Sequence, residues 1–263
     1  MSKHRIPQGI VDEPLAATKF TLDRYAPATE LRPFVEYYWV LHWDLRGQPP
    51  HLQRILPNLS VHASFFAGES GVFGPARQSR SHLLRGRVQG LGVRFRPGCF
   101  RPFLAAPVST IADSVLPLRD IFGTEAERAL SVVSKATEDD EMVTEMDRLL
   151  CTNVPTLPTS AERAAQIVET VAADSAITTV ARLAEAAGTT VRTLQRLFGE
   201  YVGVGPKWAI RVYRINEAAQ RIGGAERIDY AALADELGYS DQAHFTRDFT
   251  AAVGTPPARY GNR

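Results

Sequence analysis

Two groups of side chains, about fifty residues apart, carry the clearest chemistry in this 263-residue chain. The first is Arg192, Gln195 and Arg196; the second is Gln242, His244, Thr246 and Arg247. Guanidinium and carboxamide groups make paired hydrogen bonds to guanine and adenine edges in the DNA major groove. Each group lies on the polar side of a helical pattern whose other side is apolar, with Leu194, Leu197 and Phe198 in the first and Phe245 and Phe249 in the second. Any one of these polar residues is equally consistent with a solvated helix face. Two such faces in matched frames point instead to base reading.

The elements that must position them form a repeat. Leu183-Ala184, Gly188, Leu194, Arg196, Phe198, Gly203 and Pro206 return as Leu233-Ala234, Gly238, Phe245, Arg247, Phe249, Gly254 and Pro257. The offset is 50 residues up to the first Gly and 51 after it, so the second turn carries one extra residue. Each copy predicts a short helix, a Gly-centred turn and a second helix, which is the layout of a helix-turn-helix. Ala184 and Ala234 fall where the helices cross. Gly188 and Gly238 fall where a left-handed residue must end the first helix. Thr190 and Asp241 are suited to cap the second. Between the copies, Pro206 and the Gly223-Gly224 pair bracket a helix of roughly 17 residues, about 25 Å long. That length can hold two reading heads about one DNA turn apart, roughly 34 Å. Its Lys207, Arg211 and Arg214 suit phosphate contacts, and equally suit a solvated basic face.

The segments LAEAAGTTVRTLQRLFGEYVGVGPKWAIRVYRINEAAQRI and LADELGYSDQAHFTRDFTAAVGTPPARY resemble the DNA-binding domain of the AraC/XylS family of bacterial transcription regulators, over roughly residues 160–261. Gly238-Tyr239, Asp241, Phe245, Arg247 and Phe249 match the signature of that family's second unit. The resemblance implies two helix-turn-helix units joined by a linker helix, with base contacts from Arg192, Gln195 and Arg196, then Gln242, His244, Thr246 and Arg247. Gly223-Gly224-Ala225-Glu226-Arg227 departs from the Leu-rich helix end common in the family, so the linker helix is expected to stop slightly early.

Composition sets bounds. A hydrophobic share of 44% suffices for a packed core. No apolar run reaches 18 residues, and the polar first twenty residues lack a signal-peptide core, so no membrane is expected and a cytoplasmic location is. Two distant cysteines, Cys99 and Cys151, argue against a disulfide scaffold or a Cys-rich zinc site. From Pro158 to Arg263 there are 12 Arg or Lys and 12 Asp or Glu. DNA affinity must then come from the arrangement of charge, not from its sum.

The N-terminal part reads differently. Runs at 34–45, 52–56, 59–66, 82–89 and 91–95, separated by Gly and Pro turns, predict short strands of a β-barrel or sandwich. Helical patterns follow up to Cys151. The expected fold is α+β in two domains: an N-terminal β-barrel or cupin-like domain with trailing helices (1–151), a linker (152–159), and an all-α double helix-turn-helix domain (160–263), with no sign of a shared core. YAPATELRPFVEYYWV, ILPNLSVHASFF and LGVRFRPGCFRPFL resemble a domain that precedes the AraC-type module in a subset of regulators, implying a cupin-like fold that senses a ligand or dimerises.

Ser70–Ala112 holds seven Arg and no acid, whereas Thr124–Arg148 holds eight acids and three bases. Three readings stand: acidic helices against basic strands, an anion pocket with Arg94 and Arg96 at its mouth, or auxiliary phosphate contacts. Tyr37, Tyr38, Trp39 and Trp43 alternate faces, dividing between core and cavity. Cys99 beside Arg96 and Arg101 is either a low-pKa thiol or a small buried hydrophobe. His62 and His82 have no companion set for a metal, and no nucleophile elbow, P-loop or carboxylate pair occurs.

The sequence thus points to a DNA-binding transcription regulator with no cofactor and no catalytic residue. Double-stranded DNA is the expected partner, with RNA polymerase, a small-molecule effector and a second copy of the chain as further candidates. The alternative is an enzyme, either cupin-type or an alkyl-transfer repair protein, fused to an AraC-type module.

Overall fold

A computed structural model describes residues 9–224 and 228–261. Residues 1–8 and the Ala225–Arg227 part of the anticipated helix-end departure lie outside the described residues.

The N-terminal region is built on an antiparallel sheet in the order β1 (Thr21–Tyr25), β2 (Val35–Asp44), β7 (Arg87–Phe95), β4 (His62–Phe66), β5 (Gly71–Phe73) and β8 (Val115–Leu116). β3 (His51–Ile55) and β6 (Arg80–Leu84) pair with each other as a separate ribbon, to which Ile10 adds one isolated antiparallel bridge at Ile55. The expected closed barrel is therefore corrected to an open sheet. Its edges are β1 and the two-residue β8, and the ribbon that closure would need is hydrogen-bonded to neither. The strands expected at 82–89 and 91–95 are also redrawn. The chain turns at Gly86, whose φ is +64°, and β7 runs straight through Gly90.

Alternation divides the sheet into two faces. Val40, Ala63, Phe65, Leu91, Val93 and Phe95 belong to the main apolar cluster with α4 (Glu125–Lys135) and α5 (Asp139–Cys151), which follow the short helices α1 (Glu13–Ala17), α2 (Arg101–Leu104) and α3 (Leu118–Phe122). Tyr37, Trp39, Trp43, His62, Phe66 and Arg94 point the other way, into a cavity. A bulge between Val35 and Tyr37 shifts the phase of β2, which is why Val35 and Tyr38 both enter the core. Helix α5 is fixed to the sheet by carboxylates: Asp147 accepts from the Tyr38 hydroxyl at 2.7 Å and from the Ala28 amide at 2.9 Å, and Asp139 accepts from the Tyr25 hydroxyl at 2.6 Å.

After irregular residues 152–158, α6 (Thr159–Ala173) opens the helical region. It is followed by α7 (Val180–Ala186), α8 (Val191–Leu197), α9 (Pro206–Gly223), α10 (Tyr230–Glu236), α11 (Gln242–Val253) and the short α12 (Pro257–Gly261). The local chemistry matches the repeat. Thr190 Oγ1 accepts from the Thr193 amide and Asp241 Oδ1 from the His244 amide, while Gly188 and Gly238 have φ of +57° and +72°. Ala184 and Ala234 are buried, as are Leu194, Phe198, Phe245 and Phe249. α9 starts with Pro206 and ends at Gly223, close to the predicted bounds.

The expectation of separate cores does not hold. Leu59 belongs to the apolar cluster of the first unit, and Val11 and Leu56 to that of the second. Arg96 meets Glu169 at 3.5 Å, and Arg101 pairs with Glu200 beside the Tyr201 ring. At Gly98 the approach is closest: φ is +94°, and a Cβ there would lie 2.8 Å from the Ala165 amide nitrogen of α6. Sequence reading missed this seam because even its nearest partners, Gly98 and Ala165, are far apart in the chain and leave no local pattern.

Gly98→Val therefore meets both a left-handed backbone and a helix with no room to retreat. It is expected to cost about 2–4 kcal/mol, seen as a lowered Tm. A variant with an unchanged Tm would show that the seam yields freely.

Candidate nucleic-acid interface

Both second helices present the anticipated residues outward. Arg192, Gln195 and Arg196 on α8 are exposed, as are Gln242, His244 and Arg247 on α11, and Thr246 is half-buried. His244 is oriented by its neighbours: its ring lies edge-on to Tyr239 at 5.3 Å, and Nδ1 is 3.2 Å from the Ser240 hydroxyl. The Asp241 cap carboxyl is held below its usual pKa by the His244 amide, so it stays charged at neutral pH.

The linker helix behaves less uniformly than its sequence suggested. Lys207 is exposed. Arg211 is half-buried, with Nε 3.1 Å from Asp248 Oδ2 on α11 and its guanidinium 4.7 Å from the Trp208 ring centroid. It ties linker to recognition helix. Arg214 stacks 3.8 Å over Tyr239, and its Nε and Nη2 have no partner among the described residues.

Ion pairing takes up part of the acidic charge. Asp248 is taken by Arg211, Glu217 and Glu236 by Arg221, Glu169 by Arg96 and Glu200 by Arg101. Among the described residues Arg192, Arg196, Lys207 and Arg247 form no ion pair. These five acids are thus taken by cations of the fold, while Arg192, Arg196 and Arg247 on the reading helices and Lys207 at the start of α9 stay exposed and unpaired.

A second candidate site is a cavity of about 480 Å³ between the inner sheet face, the β3–β6 ribbon and α9. Gly90 and Gly92 lie beneath the aromatic rings that line it. A Cβ at Gly92 would lie 2.0 Å from the Trp39 indole, and one at Gly90 would lie 2.4 Å from the Phe66 ring, so these aromatics lie flat on the strand. Trp39, Trp43 and Phe66 stack at 5.5–5.9 Å. Val212, Tyr213 and Asn216 of α9 complete the wall, with Asn216 Nδ2 donating to the Pro57 carbonyl at 3.2 Å.

Arg94 lines this cavity but is neutralised by Glu36 at 2.7 Å. Arg96 is not in the lining; it donates to the Arg32 carbonyl and faces Glu169. The anion-pocket expectation therefore changes residues. Arg80, which the sequence did not single out, lines the cavity, touches only the Gly74 and Ser114 carbonyls at 3.3 and 3.5 Å, and lies 5.2 Å over Phe73. Among the described residues it forms no ion pair; burial lowers its pKa, against a smaller upward pull from Asp113, which is itself paired with Arg77. Nor do the acidic helices offset the Arg-rich strands: Glu125 and Glu145 pair with Arg148. Cys99 is buried, and its thiol is pushed up to about 11, mainly by burial, as befits a core residue.

Residues 183–263 match the family described as helix-turn-helix domain, and residues 23–117 match one described as domain of unknown function (DUF6597). No curated protein matches the chain. Among solved structures, ToxT from Vibrio cholerae O395 aligns at 12% identity over 93% of this chain and 98% of its own, with a TM-score of 0.40. ToxT bound to (E)-4-(8-methylnaphthalen-1-yl)but-3-enoic acid aligns at 11% identity over the same shares, with a TM-score of 0.41. The transcriptional regulator CdpR from Pseudomonas aeruginosa aligns at 15% identity over 68% of this chain and 46% of its own, with a TM-score of 0.30. Scores this low settle neither fold nor function for this chain.

Arg211→Ala and Asp248→Ala should each lower stability and should couple by about 1 kcal/mol in a double-mutant cycle. Strict additivity would show that the contact does no structural work.

Proposed function

We propose that this chain, whose C-terminal part is an AraC-type helix-turn-helix domain, is a sequence-specific DNA-binding transcription regulator that reads two unlike boxes per chain. The observation that carries the reading is the set of unpaired, exposed cations on two capped helices of matched frame. Arg192, Gln195 and Arg196 would read one box, and Gln242, His244, Thr246 and Arg247 the other, through base edges. Lys207 would hold a phosphate. The mode of action is binding, and the cavity against α9 is the natural seat for a small-molecule effector.

One chain would thus occupy successive major grooves on one side of the duplex, with box centres about 10–10.5 bp apart and no internal palindrome. Arg196→Ala or Arg247→Ala should cost about 1–3 kcal/mol at a site selected from random duplexes, and relax preference at a few positions. Lys207→Ala should weaken all sequences alike and flatten the salt dependence by about one charge. Footprints of a single groove per chain, or an unchanged preference in Arg196→Ala, would defeat this reading.

A further inference from the structure

We propose that the cavity binds one small monocarboxylate with an apolar, partly aromatic body, that Arg80 is its anion contact, and that the β3–β6 ribbon passes its occupancy to the second recognition helix. The regulatory half of this inference rests on the DNA-binding reading above; the ligand half does not.

The walls set the ligand body. A cavity of about 480 Å³ falls within the range of about 300–1,000 Å³ that takes small organic ligands. Trp39, Trp43 and Phe66 line one side, with Ile55 and Leu84 of the ribbon among the residues facing them. A strongly hydrated ligand would lose its water here without recompense.

The polar groups set the head. Trp39 Nε1 and His62 Nε2 are buried and have no partner among the described residues, and the two rings are 6.4 Å apart. Burial, then Arg94 and Arg80, hold the His62 pKa well below its ordinary value, so the ring is neutral and brings no charge. With Arg94 cancelled by Glu36, Arg80 is the half-buried cation left over. Glu69, the acid in the lining, is taken by His82 at 2.7 Å, and the buried Trp39 N–H and His62 ring beside the half-buried Arg80 guanidinium fit a singly charged head, which is a carboxylate. Among the described residues the other lining cations without an ion pair, Arg24 and Arg85, are exposed, so a second negative charge would find no half-buried partner.

The ribbon sets the consequence. Gln53, Ile55, Arg80, His82 and Leu84 turn towards the cavity. β3 and the residue just before β6 hold the C-terminal end of α11: Arg54 Nη1 donates to the Val253 carbonyl and the Ser79 amide donates to the Ala252 carbonyl, both at 3.0 Å. Ser79 and Arg80 are adjacent, and Ile55, the register partner of Arg80, is adjacent to Arg54. An anion drawing on Arg80 therefore pulls on the residues that seat the recognition helix. Because the ribbon shares no ladder with the sheet, it can shift without breaking one.

The test uses the full-length protein in two arms. Without DNA, decanoate and 4-phenylbutyrate are titrated against decan-1-ol and 4-phenylbutan-1-ol, by displacement of 1-anilinonaphthalene-8-sulfonate. The acids should win by about tenfold or more, Arg80→Gln should abolish that advantage, and Arg80→Lys should keep most of it. Equal displacement by acids and alcohols, no saturable displacement by either acid, or an intact preference in Arg80→Gln would each overturn the ligand assignment. The wild-type comparison stands even where a variant misfolds. In the second arm, affinity for a duplex selected in vitro is measured with and without the better acid. Arg54→Ala should leave acid binding within about twofold and remove the acid-dependent change in DNA affinity. An undiminished change in Arg54→Ala overturns the ribbon route, whereas failure to bind any duplex strikes only the DNA-binding reading.

Discussion

One helix must satisfy three neighbours at once, and most of the molecule follows from that. α9 gives Ala209, Ile210 and Val212 to the first unit's core, and Ile215, Ala218, Ala219 and Ile222 to the second's. Between these, Val212, Tyr213 and Asn216 form the cavity wall. A helix buried on so much of its circumference has little freedom to slide or rotate without opening a void in one core or another. At 18 residues it spans about 27 Å. The separation of the two reading helices is thus a property of packed side chains, not of a tether. The Arg211–Asp248 pair and the Arg214–Tyr239 stack add polar fastenings on the side of the second unit.

What could be read from the sequence was what repeats locally. Caps, Gly turns and apolar faces are set by residues within a few positions of one another, so both helix-turn-helix units, their Thr190 and Asp241 caps and the bounds of α9 were visible without a structure. The cavity was only half visible. Alternation in β2 separated Tyr38 from Trp39, but Arg80, Tyr213 and Asn216 come together through contacts more than a hundred residues apart. Charge counting misled for the same reason: the surplus of Arg in 70–112 named Arg94 and Arg96, while the partners that cancel them, Glu36 and Glu169, lie outside that stretch. The one overlooked local clue was Gly90-Leu91-Gly92. Two glycines on the same face of a strand signal that something lies flat against it.

The failure of the sheet to close has a physical sense. Small closed barrels fill their interiors with side chains. Here the glycine pair removes two side chains from the inner face, and the indole and phenyl rings that use the space lie along the sheet instead of across it. Volume survives because the opposite wall is a two-stranded ribbon, held by its ends and not by a ladder. Isolated two-stranded ribbons are marginal in water. This one is steadied from outside, by Leu56 in the second unit's core and by the carbonyls at the end of α11. Each region therefore supplies what the other lacks: the helical region steadies the ribbon, and the ribbon closes the cavity against the helix that spaces the two readers. A change at any of the three surfaces has to be absorbed by the other two.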